Sequence, residues 1–497
     1  MNKKIWPTYL FFPIPLLIPF IFLFTAEHVW SANLFVRPNG TGTSCSQSNP
    51  CLFTYAITKA SPRDYIIFRQ GTYTQTASSV LRIEKEIYLL GGWDGSPSGS
   101  LVINPELYPS ILDGGNLRPV VHILGPIKTI VSGFTIQNGK ARDLPEQTVV
   151  CEGVMTTGCG GGILVVEAEA LIYKNKILNN QANDGEGLGG GVHLEKASGT
   201  IVRNNLFQGN QARLGGGLNL YGSASTPPKI EDNNQFIRNS AAFGGAIGFT
   251  EQTNPTIQDN LFDNNSEQSF GGSIYGAGPA AIARNLFQNH LGRSVVFLGG
   301  FQGNFEANRL LNNNTLLGLT LRNGLPPYPI VSNNIFARSG TSSALGAGGI
   351  TFDSNLNAVL EHNTLVGEGI GTGILAGGFC NLSVNNNIIS GYPTGIGITD
   401  PHATVTARHT LFDSSVTTPG NNVNFINSLV GDPAFKDPAA NDFHIRFTSA
   451  ARDAGISAFV TTTQDIDGDP RVIGSAPDIG ADEYKDAAYL YLPLIKK

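Results

Sequence analysis

Between residues 160 and 412 one short order of parts keeps returning. A glycine tract leads into alternating apolar residues, then asparagines, then a single apolar residue, then asparagine again. Residues 215–249, GGGLNLYGSASTPPKIEDNNQFIRNSAAFGGAIGF, hold one full copy and the opening of the next. A period of 20–50 residues decides architecture, because each unit must bury its apolar face on its neighbours.

Aligned on the apolar residue after the asparagines, ten positions form one column: Leu178, Phe207, Phe236, Phe262, Phe287, Leu311, Phe336, Val366, Ile389 and Phe412, spaced 23 to 30 residues apart. Two residues earlier stand Asn205, Asn234, Asn260, Asn285, Asn334 and Asn387, with Lys176, Arg309, Thr364 and Thr410 as exceptions. Three residues later Asn210, Asn239, Asn265 and Asn314 recur. The glycine tracts read GGGI at 160–163, GGGV at 189–192, GGGL at 215–218, GGAI at 244–247, GGSI at 271–274 and GGI at 348–350. Alternation follows each, as in Ile163/Val165, Val192/Leu194 and Leu218/Leu220, and period two marks a half-buried strand.

A helical repeat fails on composition, since 60 glycines and 28 prolines would weaken or break helix interiors. A parallel β-coil accommodates them. Each repeat makes one rung of about three short strands, and glycine supplies the positive φ that the bends need. Rungs stack about 4.8 Å apart, so like residues lie on like: apolar columns inside, asparagine ladders at the bends. The asparagines therefore read as structural. Early rungs at 81–90, 110–124 and 128–138 bring the expected count to about thirteen, some 60 Å of coil at that spacing.

The pairing of GGAI at 244–247 with FQGN, FIRN and FDNN at Phe207, Phe236 and Phe262 resembles the repeats of polymorphic outer membrane proteins. More broadly the chain is similar to the pectin-lyase-like class. That resemblance, and not the periodicity, implies a right-handed coil. The expected fold is all-β: a single-stranded right-handed parallel β-helix with an N-terminal cap and a small C-terminal capping domain. From residue 425 the repeat stops. Gly431-Asp432-Pro433 and the segments 451–455, 465–471 and 478–484 resemble the choice-of-anchor Q domain, which implies a secreted or surface protein. The expected boundaries are 1–32 signal peptide, 33–75 cap and first rung, 76–424 coil, 425–484 terminal region and 485–497 tail.

The signal reading rests on Lys3 and Lys4 before an apolar run from Ile5 to Phe24. Export makes disulfides available: Cys45 with Cys51 and Cys151 with Cys159 are the expected local pairs, leaving Cys380 as a small buried apolar residue. Residues 52–60 read as one short helix that plugs the open first rung. A formal charge of −6 with only 14% charged residues argues against nucleic acid or an anionic membrane surface as partner. The mature chain is expected to lack a membrane span and to act as a monomer.

The class contains polysaccharide lyases and hydrolases, so an active site would stand on the outward positions. With Ile163, Val192, Leu218, Ile247 and Ile274 inward, Leu164, His193, Asn219, Gly248 and Tyr275 should point out, followed by Val166, Glu195, Tyr221, Thr250 and Ala277. A hydrolase needs paired carboxylates about 5–10 Å apart. No acidic cluster or basic column stands there, so no catalytic residue is assigned. His193, Glu195, Asn219, Tyr221 and Tyr275 are the candidate glycan-binding set, with extracellular polysaccharide or a cell-surface glycan as partner. Asp465, Asp467 and Asp469 resemble a calcium loop, but Pro470 and Ala476 stand where an EF-hand needs Gly and Glu. They read as a turn, calcium finds no support, and no cofactor or metal is expected. The expectation is a non-catalytic adhesive, glycan-binding or scaffolding protein. The alternative is a polysaccharide lyase or glycoside hydrolase.

Overall fold

In the computed structural model, which describes residues 31–141, 158–182, 187–324, 326–337, 348–414, 416, 418–419 and 423–485, the repeat winds into a coil of parallel strands. Each turn lays down a strand on each of three faces. In one turn these are Val192–Glu195, Ile201–Arg203 and Leu206–Gln208, which pair in register with Leu218–Tyr221, Lys229–Glu231 and Gln235–Ile237 of the next. The third face is a 14-stranded sheet of its own, close to the thirteen rungs expected. The first two faces join into one sheet where Ile274–Ala283 and Leu291–Glu306 run straight through the bend. The signal peptide expected over 1–32 lies almost wholly outside the described residues, as does Cys151.

The inward column of the third face is one residue out of step with the sequence alignment at three turns. The strands pair Ile177 with Phe207, Leu310 with Phe287, and Leu365 with Phe336. Leu178, Leu311 and Val366 therefore point outward, because a slip of one residue in a strand flips its faces. Correcting the step removes three of the four exceptions. Asn175, Asn308 and Asn363 join the ladder in place of Lys176, Arg309 and Thr364, and Asn313 replaces Asn314 in the second ladder. Leu311 and Val366 are apolar for another reason: with Ile335 and Ala337 they floor the packing of Phe443 and Ala481 from the C-terminal region.

The ladders explain why asparagine sits at the corners. The residue before each asparagine of the first ladder, from Lys174 to Asn386, takes φ between 52 and 62°. Such left-handed backbone costs a non-glycine residue about 1–2 kcal/mol. The buried amide that follows offsets this. Asn205 Nδ2 donates to Ile172 O at 2.8 Å and to Asn234 Oδ1 at 3.0 Å, and its backbone N–H donates to the same oxygen. The pattern repeats through Asn260, Asn285, Asn308, Asn334 and Asn363 to Asn387. Between the ladders, Phe207, Phe236, Phe262 and Phe287 stack with ring centroids 4.5, 5.1 and 4.7 Å apart. Burying each such ring contributes about 1.5–3 kcal/mol.

The glycine tracts form the remaining bend. Gly215 and Gly244 have φ near +64°. The next two glycines let turns approach: a Cβ on Gly191 would lie 2.4 Å from Gly217 O.

Both flanks of the coil are built from non-repeating sequence. The helix Phe53–Lys59 covers the first turns, with Phe53 packed on Phe68 and Tyr73. Cys45 and Cys51 form the expected disulfide, Cα atoms 4.7 Å apart. Cys159 is also disulfide-bonded, and Cys380 is buried and free. Residues 431–484 lie along the third face across five turns, touching Arg309, Asn333, His362, Asn386 and His409. They pack on Ile388 and Leu411 through Ile445, Ala451 and Ile479. On the last turn Phe425, Ile426 and Val430 remain exposed.

Candidate functional site

The register places Leu164, His193, Asn219, Gly248, Tyr275 and Phe297 in one outward row of the first face. The row is not open to solvent along its length, which corrects the expected exposure. Leu164, His193 and Asn219 are buried, as is Glu195 in the next row. A short ladder just before the glycine tracts lies over them: Leu188 bridges to Leu214, which pairs with Phe243, which pairs with Phe270. Leu214 covers Gly248 so closely that a Cβ there would sit 2.7 Å from its Cδ1. Leu164, Leu188 and Cys159 make a small apolar cluster of their own.

Of the five candidate residues the structure joins three, out of reach of a ligand. His193 Nε2 lies 3.4 Å from Glu195 Oε2, and Asn219 Nδ2 lies 3.1 Å from His193 Nδ1. Tyr221 and Tyr275 are half-buried and reach the surface in different rows. Tyr221 pairs in register with Glu195, and Tyr275 with Phe297.

Around Tyr275 the covering ladder and the outward row form an aromatic patch. Tyr275 stacks on Phe297 at 5.4 Å with planes 7° apart, and lies 5.1 Å from Phe243. Phe270 lies 4.9 Å from Phe297 and carries the Arg293 guanidinium 4.5 Å over its ring. Phe243, Phe270 and Tyr275 are each partly exposed. Sequence reasoning found Tyr275 and missed the rest. The signal was present: the residue before each glycine tract runs Leu188, Leu214, Phe243, Phe270.

Glu267 was missed as well. It stands in a column of alanines, paired with Ala241, which pairs with Ala212. The break is visible as Asn-Ser-Glu at 265–267 against Asn-Gln-Ala at 210–212 and Asn-Ser-Ala at 239–241. Its Oε1 accepts from Arg293 N–H at 2.5 Å and Ser294 N–H at 3.3 Å, whereas Oε2 is buried without a partner. Burial pushes its carboxyl above the usual range. One turn on, His290 replaces an asparagine of the second ladder. Its Nδ1 lies 3.1 Å from Asn265 N and 3.0 Å from Asn265 O, and its Nε2 lies 2.6 Å from Ser273 Oγ.

The densest charge lies elsewhere, in residues 431–484. The Asp465–Asp469 segment is a turn, as expected: Asp465 Oδ1 accepts from the N–H groups of Asp467 and Asp469 at 2.9 and 2.8 Å. Arg471 is buried and donates to Gly480 O, Ala481 O, Asn333 Oδ1 and Glu483. Burial pushes Asp482 up to about 7 and Glu483 up to about 8. Hydrogen bonds to Asp467 and Asp442 raise His444 to about 9.

Strand order, parallel register and buried amide ladders together define a parallel β-helix protein. A family model described as right handed beta helix region matches residues 131–287 and 273–430, well over half of the chain, and the chain belongs to that family. No curated relative matches the sequence. Similar solved structures include pectate lyase Pel9A, 15% identical with a TM-score of 0.34, covering 92% of this chain and 97% of that one. The PL6 family alginate lyase AlyGC is 15% identical with a TM-score of 0.42, covering 87% of this chain and 60% of its own length. PfbA, a surface adhesin of Streptococcus pneumoniae, is 13% identical with a TM-score of 0.36, covering 81% and 94%. Fold alone assigns no activity. No helix among the described residues is long and apolar enough to cross a membrane.

Proposed function

We propose that this chain is a non-catalytic β-helix protein of the cell exterior that binds glycans, with an adhesive or scaffolding role. One observation carries the reading: the partly exposed patch of Phe243, Phe270 and Tyr275, backed by Phe297 and edged by Arg293. Aromatic faces aligned along a flank suit the C–H faces of sugar rings, and exposed apolar surface gathered in one place marks interaction sites. The Cys45–Cys51 disulfide supports an oxidising, extracellular location. Burial of His193 and Glu195 takes that acid/base pair away from any polysaccharide.

The test is a glycan-array screen of the mature chain, repeated with Tyr275→Ala and Phe270→Ala. We expect binding to a restricted glycan set and a loss of tenfold or more, about 1.4 kcal/mol, in each variant. Binding that both variants leave intact would remove the patch from the reading.

Glu267 favours a second reading, a lyase or hydrolase, because a carboxyl raised by burial beside a binding surface suits a general acid. An absorbance assay near 235 nm on uronic-acid polysaccharides, with reducing-sugar release from neutral glycans, separates the two. A flat trace is expected. Turnover abolished by Glu267→Gln would establish the enzyme instead.

A further inference from the structure

The two ends of the coil are finished differently. At the first turn the helix Phe53–Lys59 lies over the core, with Phe53 on Phe68 and Tyr73. At the last turn the described residues place nothing comparable. Val423–Ile426 and Leu429–Val430 pair with Thr404–Arg408 and Leu411–Phe412, and no strand among the described residues takes their far edges. Phe425 and Val430 continue the inward columns of Ala407 and Phe412, yet they are 38% and 77% exposed. With Ile396, Phe412, Val416 and Leu429 they line an open cavity of about 210 Å³. Residues 431–484 bury Leu411 from the flank and leave Val430 bare. A terminal rung left open is both an apolar face and an unpaired strand edge, and solenoids need a cap there.

We propose that residues 486–497, DAAYLYLPLIKK, which lie outside the described residues, cap this end of the coil, with 489–495 added as a strand on the free edge of Val423–Ile426. Reach favours this occupant. Tyr484 packs on the cluster that holds Leu411, and Leu411 is the register partner of Leu429 in the last turn. The twelve residues beyond Lys485 extend over about 40 Å. All five turns under the lateral region span only about 24 Å. Chemistry favours it too. Leu490, Leu492 and Leu494 alternate with Tyr489, Tyr491 and Pro493, so one face of such a strand is all leucine and matches the apolar cavity. Pro493 is tolerated because the added strand becomes the new outer edge, where a missing N–H costs nothing. Lys496 and Lys497 follow it, and edge lysines discourage further pairing. Added strands bind through backbone hydrogen bonds and take their specificity from alternate side chains in pockets.

The experiment compares backbone hydrogen exchange in the mature chain and in the same chain ended at Lys485. Amides of residues 423–430 should exchange about tenfold more slowly in the longer chain. A synthetic peptide of residues 486–497, added to the shortened chain, should restore that protection. If the shortened chain fails to fold, the full chain carrying Val430→Cys and Leu492→Cys decides under oxidising conditions: a disulfide within one monomer supports the cap. Equal exchange in the two chains overturns the proposal, as does a cysteine pair that stays reduced. Disulfide-linked dimers, or protection that appears only as the full chain dimerises, assign the end to a second copy and overturn it as well.

Discussion

In the coil from Asn175 to Asn387 the buried polar side chains are mostly neutral amides, whereas in residues 431–484 they are mostly charged. Each ladder asparagine is satisfied by the turn before it and the turn after it, so one local solution is copied along the axis. Arg471, Asp478 and Glu483 are held by a set of contacts made once, to one another and to particular coil residues such as Asn333 and His362. A solenoid distributes its stability over neighbouring units. A unique charged cluster concentrates it, and couples it to pH.

The largest expected effect tests that concentration. Arg471→Ala removes five hydrogen bonds, one of them to Glu483, and truncating one partner of a buried salt bridge costs about 3–5 kcal/mol. Residues 431–484 should come off the third face and become protease-sensitive, with the far-UV β signal of the coil retained. Loss of both together would mean that the lateral region is part of one cooperative unit with the coil.

Asn234→Ala probes the other half. It deprives Val202 O, Asn260 Oδ1 and the Asn205 N–H of partners in a dry corner. The cost should be about 3 kcal/mol, since several buried groups are left unpaired. Urea unfolding followed by fluorescence checks it. A change below 1 kcal/mol would mean that the corner relaxes around the gap.

These two variants also mark what could be read beforehand. The coil was legible because repetition multiplies a weak local signal: Phe207, Phe236 and Phe262 announce one column, and asparagines at fixed offsets announce the corners. The one-residue slips at Leu178, Leu311 and Val366 arose because two adjacent residues there are both apolar, and burial under residues 431–484 explains the outer one at Leu311 and Val366. Burial of His193 and Asn219 was illegible, since alternation reports which way a side chain points and not what lies over it. The convergence of His444, Asp467 and Asp482 leaves no pattern at all, being a product of tertiary packing between segments without periodicity.

The two regions should respond to pH in opposite directions. Burial depresses His122 and His290 to about 4, so their contribution is full above 6.5 and is lost as pH falls through 4. In the lateral region Asp482 and Glu483 are raised by burial to about 7 and about 8, and His444 to about 9. The proton-bound forms are the favoured folded ones there. Their contribution is present below the unfolded values and is lost as pH rises from about 4.5 through 9. Acid should therefore lower the melting temperature of the coil, while mild alkali should speed proteolysis within 431–484 first. Proteolysis of that region that does not change between pH 6 and 9 would count against charge as its main fastening.

The smallest expected effect sits where the coil itself departs from its rule. His290→Asn restores the residue type of the second ladder, with Asn265 N–H and Nδ2 on one side and the accepting Asn313 Oδ1 on the other. A new buried amide bond should contribute about 1 kcal/mol. The same change leaves Ser273 Oγ without the imidazole it meets at 2.6 Å, and an unpaired buried hydroxyl costs about 1–3 kcal/mol. The single variant should be slightly less stable than the wild type at pH 7. His290→Asn combined with Ser273→Ala, which returns the alanine found at Ala246, should recover or exceed wild-type stability and melt with less dependence on pH between 4 and 6.5. A double variant no better than the single would show that His290 and Ser273 are held in place by something other than each other.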